Sequence, residues 1–201
     1  MTNIEASAII EAIDAEHIMK KLEGIGRVCY RSEDKIRWDS ADKFVRNLIR
    51  RGHESVLEHV SVTANLVVDR AVAQEITRHR IGSYTHESTR YVKYNDIEVI
   101  MDKDLFDTNY MYLLGDQVAY NDMIANGVRP EIARDVLPIC LASRLVVTYN
   151  LRQWRHFFKL RYVGSTGRPH PKIKHIAGLL LGQFKKELPV IFEDFPVEGE
   201  L

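Results

Sequence analysis

A chain of 201 residues, 45% apolar and 28% charged, has the length and composition of one ordinary globular domain that buries its core without disulfide or metal staples. That composition excludes disorder, collagen-like repeats and low complexity, and no apolar run approaches the roughly 18 residues of a membrane span. Its 28 basic residues equal its 28 acidic ones, but none of the acids lies between Val136 and Lys186, a stretch with ten Lys and Arg and hence a net charge of +10.

Taken in chain order, Ser40–Arg51 reads as a short helix, capped by Ser40 or Asp39 and stopped by Gly52. Val60–Val68 alternates Val60, Val62, Ala64, Leu66 and Val68, the pattern of a half-buried strand. Arg70–Arg80 reads as a helix, with an irregular polar loop from Gly82 onward and a short strand at Glu98–Met101. Phe106, Tyr110, Leu114 and Val118 recur every four residues, so a helix is expected over about 105–126, closed by Gly127. Pro130 suits the first position of a helix ending at Leu137 before Pro138. Ile139–Thr148 follows as a strand, Asn150–Arg161 as a helix, Gly164–Pro171 as a loop and Lys172–Glu187 as a last helix. Strands and helices mix without a βαβ rhythm, which predicts a single α+β domain over 1–201 with a mixed sheet and packed helices.

Several chemistries lack their motif: there is no P-loop, no GxGxxG, no HExxH and no CxxC, so no metal site is expected. Cys29 and Cys140 make no disulfide framework, and Met1–Glu16 has no basic leader. A cytoplasmic protein is expected. The acid-free stretch attracts phosphates or an acidic partner, or else is a solvated face balanced by the −10 remainder.

Two clusters are rich in donors. Arg78 to Tyr91 holds Arg78, Arg80, Arg90, His79, His86 and the hydroxyls of Ser83, Thr85, Ser88 and Thr89. Arginine forks recognise phosphates and planar imides, and hydroxyls with loop amides complete an oxyanion shell. Any one of these arginines is explained by a helix C-terminus; the whole set is more than one cap needs. In the second cluster Arg152, Arg155, His156 and Lys159 share one helical face, which a solvated surface would explain, except that it carries four donors and no acid to neutralise them. Leu151, Trp154 and Phe158 share another, which is core.

Arg78-His79-Arg80, followed after seven intervening residues by Ser88, is similar to the signature of the flavin-dependent thymidylate synthases. Gly52-His53-Glu54-Ser55-Val56-Leu57-Glu58-His59 resembles a second family segment. Further blocks at Glu87–Tyr91, Gly127–Pro138 and Asn150–Arg161 follow in family order, so the resemblance spans about residues 27–187. It implies a homotetramer that uses FAD, NADPH and the folate 5,10-methylenetetrahydrofolate to convert dUMP to dTMP. By the same resemblance Ser55, Arg78, His79, Arg80, Ile81, His86, Asn150, Arg152 and His156 are flavin contacts. Glu75, Arg78, Glu87, Ser88, Thr89, Arg90, Arg134 and Arg161 are nucleotide contacts. Arg161 is the arginine that polarises the uracil, and His53 lies near the flavin ring and folate. Two positions depart from the pattern: Glu75 stands where many members have Gln, and His86 where Glu or Gln is common.

All four expected ligands are anionic, and the +10 segment supplies cations for them. No covalent protein nucleophile is expected. Cys140 sits in an apolar context, Cys29 is read as a small residue packed near the flavin, and Ser88 has no positioned base beyond its immediate neighbours. The competing reading is a single-stranded nucleic-acid-binding module, with Tyr149, Trp154, Phe157 and Tyr162 stacking bases beside the basic groups. A stripe of Leu151, Trp154 and Phe158 that a core would claim, and a near-neutral pI, weigh against it. The enzyme reading therefore expects neither nucleic acid nor membrane as partner.

Overall fold

The computed structural model describes residues 1–196. Its elements are β1 (Thr2–Asn3), β2 (Ser7–Ile10), α1 (Ala15–Val28), α2 (Ser40–Arg50), β3 (Ser61–Asp69), α3 (Arg70–Ile76), β4 (Ser83–His86), β5 (Glu98–Val99), α4 (Lys103–Ala125), α5 (Pro130–Ala133), β6 (Ala142–Asn150), α6 (Leu151–Phe158), α7 (Pro171–Glu187) and α8 (Pro189–Phe192). Four strands form a sheet in the order β2-β3-β6-β4; β1 and β5 pair in parallel, Thr2 opposite Glu98 and Asn3 opposite Val99. The class is α+β, as the sequence predicts. Among the described residues no helix is long and apolar enough to cross a membrane.

By its contacts the chain divides into two compact units, and β3 and β6 each contribute residues to both. The first unit comprises 1–7, 65–78 and 84–146. Its core gathers Tyr94, Ile97, Val99, Tyr120, Ala133 and Leu141. The long helix α4 starts at Asp102, whose carboxylate accepts from the Asp104 and Leu105 amides, and its end is followed by Gly127 at φ +81°. That left-handed conformation suits glycine, which has no Cβ to clash. Pro130 opens α5, but the helix lasts only to Ala133 before tightening into a 3₁₀ turn over Arg134–Val136.

The second unit comprises 8–64, 79–83 and 147–201. Its core is aromatic: Trp154, Phe158, Phe184 and Phe192 are buried, with ring centroids 5.9 Å apart for Trp154–Phe158, 5.6 Å for Phe158–Phe184 and 4.8 Å for Phe184–Phe192. Large rings in such offset contacts combine a big apolar area with favourable edge-to-face geometry. Leu151, Trp154 and Phe158 are therefore core, as expected. Helix α1 is absent from the sequence expectations, yet its signals are present: Asp14 accepts from the His17 amide at 2.9 Å, and Ile18, Met19 and Leu22 are buried at helical spacing.

Among the boundaries that differ from expectation, three are set by hydrogen bonds that spacing in the sequence does not show. Helix α3 stops at Ile76 rather than continuing to Arg80; the Tyr84 hydroxyl donates to the Ile76 carbonyl at 3.3 Å, satisfying an end-of-helix acceptor. The residues after Gly82, predicted as loop, form β4, because a neighbouring strand accepts them: the Glu87 amide donates to the Arg144 carbonyl at 2.9 Å. Strand β6 starts at Ala142, since the Leu141 amide closes a turn onto the Pro138 carbonyl.

Candidate functional site

In the second unit the site grows from α6 and the turn after it. Asn150 ends β6 and caps α6, its side chain accepting from the Gln153 amide at 2.8 Å. Trp154 anchors the helix from the other side, its indole N–H donating to the Val62 carbonyl at 3.0 Å. The helix expected to run through Arg161 ends at Phe158 and widens into a π-helical turn over Lys159–Val163, closed by Gly164 at φ +79°. The widening matters for register. On an unbroken α-helix Arg161 follows Trp154 by seven residues and Phe158 by three, squarely on the buried stripe. The π turn rotates Tyr162 into that stripe, where it is buried, and carries Arg161 to its half-buried edge.

At that edge Arg161 Nε donates to His79 Nε2 at 3.0 Å. His79 is only 6% exposed, with Phe157 edge-on at 5.2 Å, His156 at 6.1 Å and Tyr149 at 6.3 Å between ring centroids. Burial, reinforced by the charges of Arg161 and His156, pushes its pKa down to about 4, so the ring is neutral near pH 7. After His79 the chain turns outward through exposed Arg80 and Ile81. Gly82 makes this path possible: a Cβ there would lie 2.3 Å from the Tyr149 ring, a contact no side chain survives.

A neutral buried histidine has a consequence for stability. His79 stays unprotonated in the fold down to about pH 4, while an unfolded histidine takes up its proton near 6.5. Between those values the unfolded chain binds more protons, so unfolding free energy rises with pH across that window and falls on acidification. Half-buried His86 in the other unit is also held below its ordinary value, by burial and then by the Arg70 charge, and acts with the same sign. We expect the urea midpoint to decline steadily from pH 6.5 to 4; for His79→Phe that decline flattens. A parent midpoint independent of pH over this range contradicts the neutral His79.

The rest of the expected basic face is only partly available. Arg152 is exposed and paired with Glu58 at 2.5 Å, and exposed His156 stands beside it on α6. Arg155, expected on the donor face, is 1% exposed and fully engaged. It forks onto Asp194 at 2.6 and 2.8 Å, donates to Glu54 at 3.0 Å and to the Ile191 carbonyl, and lies over the Phe195 ring. Burial alone would raise the Asp194 pKa, but the Arg155 fork outweighs it and holds that carboxyl below its ordinary range. Lys159 also reaches Glu54, at 3.4 Å. The expectation that no acid neutralises this face is thus corrected: Glu54, Glu58 and Asp194 come from outside the acid-free stretch. His53 and Ser55 are exposed at the start of the 3₁₀ turn Glu54–His59.

In the first unit the second part of the Arg78–Tyr91 cluster is built around β4. Arg78 is exposed, and its amide donates to the Glu75 carbonyl at 3.3 Å. His86 Nε2 meets the Ser143 hydroxyl at 2.9 Å. Glu87 accepts from the Tyr94 hydroxyl at 2.7 Å; burial first, and then this carboxylate, push the Tyr94 pKa up. Ser88 Oγ accepts from the Arg90 amide at 3.3 Å, and the Arg90 guanidinium pairs with Glu131 at 3.3 Å. Arg134 donates to the Thr89 hydroxyl at 3.2 Å, with Thr89 buried. Thus His79, Asn150, His156 and Arg161 are brought together in one unit, and Ser88, Thr89, Arg90 and Arg134 in the other. Gln153, Ser143 and Tyr94 complete these networks, and motif reading does not find them, because a single polar residue, whether in a helix, a strand or the segment between β4 and β5, carries no spacing signal. Cys29, expected packed, is exposed, and Cys140 is half-buried.

Residues 11–190 match the family described as thymidylate synthase complementing protein. The chain is 31% identical over 212 aligned positions to a flavin-dependent thymidylate synthase of Mycobacterium sp. (strain JLS), covering 92% of this chain and 82% of the relative. It is 31% identical over 166 positions to one of Pyrococcus abyssi, covering 77% and 67%. Its fold is similar to the crystal structure of the UMP/dUMP methylase PolB from Streptomyces cacaoi bound with 5-Br dUMP, with a TM-score of 0.80, 22% identity and 96% of both chains covered. The chain belongs to the thymidylate synthase complementing proteins, the flavin-dependent thymidylate synthase family.

Proposed function

We propose that this protein is a flavin-dependent thymidylate synthase: it binds FAD and converts dUMP to dTMP, taking the one-carbon unit from 5,10-methylenetetrahydrofolate and reducing power from NADPH. The observation that carries the reading is the Arg161–His79 contact. A neutral, buried histidine holding an arginine by Nε is a device for fixing a guanidinium plane, and a fixed fork is suited to a planar imide such as uracil.

The donor chemistry fits a flavin dinucleotide. Exposed Arg80 and Arg152, with His156 and the Asn150 amide, are the cations and hydrogen-bond groups that a pyrophosphate and a ring edge require, and exposed Ile81 offers an apolar contact. When bound, FAD supplies the redox chemistry; the protein supplies position and charge. Arg78, Ser55, His79 and His86 complete the proposed flavin contacts, and His53 stands near flavin and folate. Arg78, Glu75, Glu87, Ser88, Thr89, Arg90, Arg134 and Arg161 take the nucleotide, with Arg161 stabilising negative charge on the pyrimidine as the N3 proton is lost. Ser88 acts as a hydrogen-bonding group rather than a nucleophile; its hydroxyl is engaged by the Arg90 amide, and among the described residues no imidazole is hydrogen-bonded to it. The active unit is proposed to be a homotetramer in which separate copies contribute these segments to each flavin.

Purified protein titrated with FAD is expected to retain a flavin spectrum, and to form dTMP from dUMP, 5,10-methylenetetrahydrofolate and NADPH with no pyrimidine adduct in quenched samples. Arg80→Ala should release flavin on dialysis while unfolding at the parental midpoint, because Arg80 is exposed and its loss removes charge-assisted bonds rather than packing. A variant as yellow as the parent sinks the flavin assignment. Salt-sensitive oligonucleotide binding by a colourless protein would instead favour the nucleic-acid module.

A further inference from the structure

Gln153 sits on α6, 7% exposed, beside Trp154. A carboxamide buried there costs free energy unless its polar atoms find partners. The side chain lies 3.4 Å from His79 Nδ1, while on the opposite edge of that ring Nε2 is met by Arg161 Nε–H at 3.0 Å. Arginine only donates, so Nε2 must carry a lone pair; a neutral ring then has its proton on Nδ1. A half-turn of the Gln153 carboxamide exchanges its O and N ends, and the end that matches an Nδ1–H is Oε1.

We propose that Gln153 is a positioning residue: its carboxamide holds His79 in the Nδ1–H tautomer, which keeps Nε2 an acceptor and locks the Arg161 guanidinium in one orientation. The catalytic meaning rests on the reading of Arg161 given above; the tautomer does not. Phe157 is apolar, and Tyr149 and His156 meet His79 ring to ring at 6.1 Å or more. The titratable or charged groups facing His79 include Arg161, His156 and Tyr149. Burial first, and then Arg161 and His156, oppose a proton on the ring, so it is neutral near pH 7 and Gln153 acts on where its single proton sits.

The test uses the full-length protein with ¹⁵N-labelled histidine, without ligands at pH 7.5, where two-bond ¹H–¹⁵N correlations separate the two neutral tautomers. The parent should show His79 as Nδ1–H, and the isosteric Gln153→Leu should show a mixture of both. In turnover, Gln153→Leu should lose about tenfold in kcat with the KM for dUMP changed by about twofold or less. Gln153→Glu places a carboxylate at Nδ1 and favours the imidazolium, whose Nε2 can no longer accept. The acidic limb of its kcat profile should therefore lie at higher pH than the parent's. A parent His79 with its proton on Nε2, or a Gln153→Leu protein whose tautomer is unchanged, overturns the proposal. Absence of any dUMP methylation alongside the expected tautomer would refute the enzymatic reading while leaving the Gln153–His79–Arg161 arrangement standing.

Discussion

Arg161→Ala should lower kcat by about 10²–10³-fold, the range for removing one preorganised donor from a site of developing negative charge. The KM for dUMP should change little, because the interaction strengthens only as the pyrimidine acquires charge. The geometry makes the lysine variant equally informative. Arg161 spends its Nε–H on His79 and thereby fixes the plane of its remaining N–H groups. A lysine ammonium is a single point donor: it either meets His79 or faces the substrate, and cannot offer a planar fork. Arg161→Lys is thus expected within about an order of magnitude of Arg161→Ala rather than of the parent. Steady-state kinetics with saturating flavin and reductant separate the cases. A kcat unchanged in Arg161→Ala would remove the residue from the reaction altogether.

The second large effect is on folding and falls on Arg155. This side chain is 1% exposed and compensated by the Asp194 fork, Glu54 and the Ile191 carbonyl. Removing one partner of a buried pair strands the others: Glu54 is mostly buried and, among the described residues, keeps Lys159 as its ion-pair partner. Arg155→Ala is expected to lose about 3 kcal/mol of unfolding free energy, at the lower end for a broken buried pair because Asp194 is half exposed and can rehydrate. For a chain of this size that corresponds to a melting point lower by roughly 10 °C. Arg152→Ala, which removes an exposed pair with Glu58, should change stability by less than about 1 kcal/mol. Urea unfolding of both variants decides the matter; an Arg155→Ala midpoint equal to the parent's would mean that the network contributes nothing.

These two arginines lie six residues apart in one segment and look alike in sequence. Reading Arg152, Arg155, His156 and Lys159 as one solvated donor face treats α6 as an isolated cylinder. In the fold, the 3₁₀ turn Glu54–His59 and the residues after α8 cover one side of it and supply Glu54 and Asp194 there. Arg161 shows the converse: helical periodicity puts it in the core, and one π turn takes it out.

What the sequence by itself determined is what local spacing and composition encode. Alternation over Val60–Val68 specified a strand with one buried face, and four-residue recurrence from Phe106 to Val118 marked the span of α4, though the face it buries is Leu113, Gln117 and Tyr120 and Val118 is exposed. The apolar stripe of Leu151, Trp154 and Phe158 specified which side of α6 is buried, and the ordered blocks around Arg78-His79-Arg80 specified the family. These signals survive because burial on one face imposes a period of 2 or 3.6 on any chain. Tertiary structure alone decided the rest: that Ser83–His86 is a strand, because β6 offers it a ladder; that α3 stops at Ile76, because Tyr84 takes up a carbonyl; that Arg155 is structural and that Arg161 meets His79 at the edge of the core. Each of those outcomes depends on a partner outside the element that it shapes, and a hydrogen bond or ion pair to such a partner leaves no periodicity behind it.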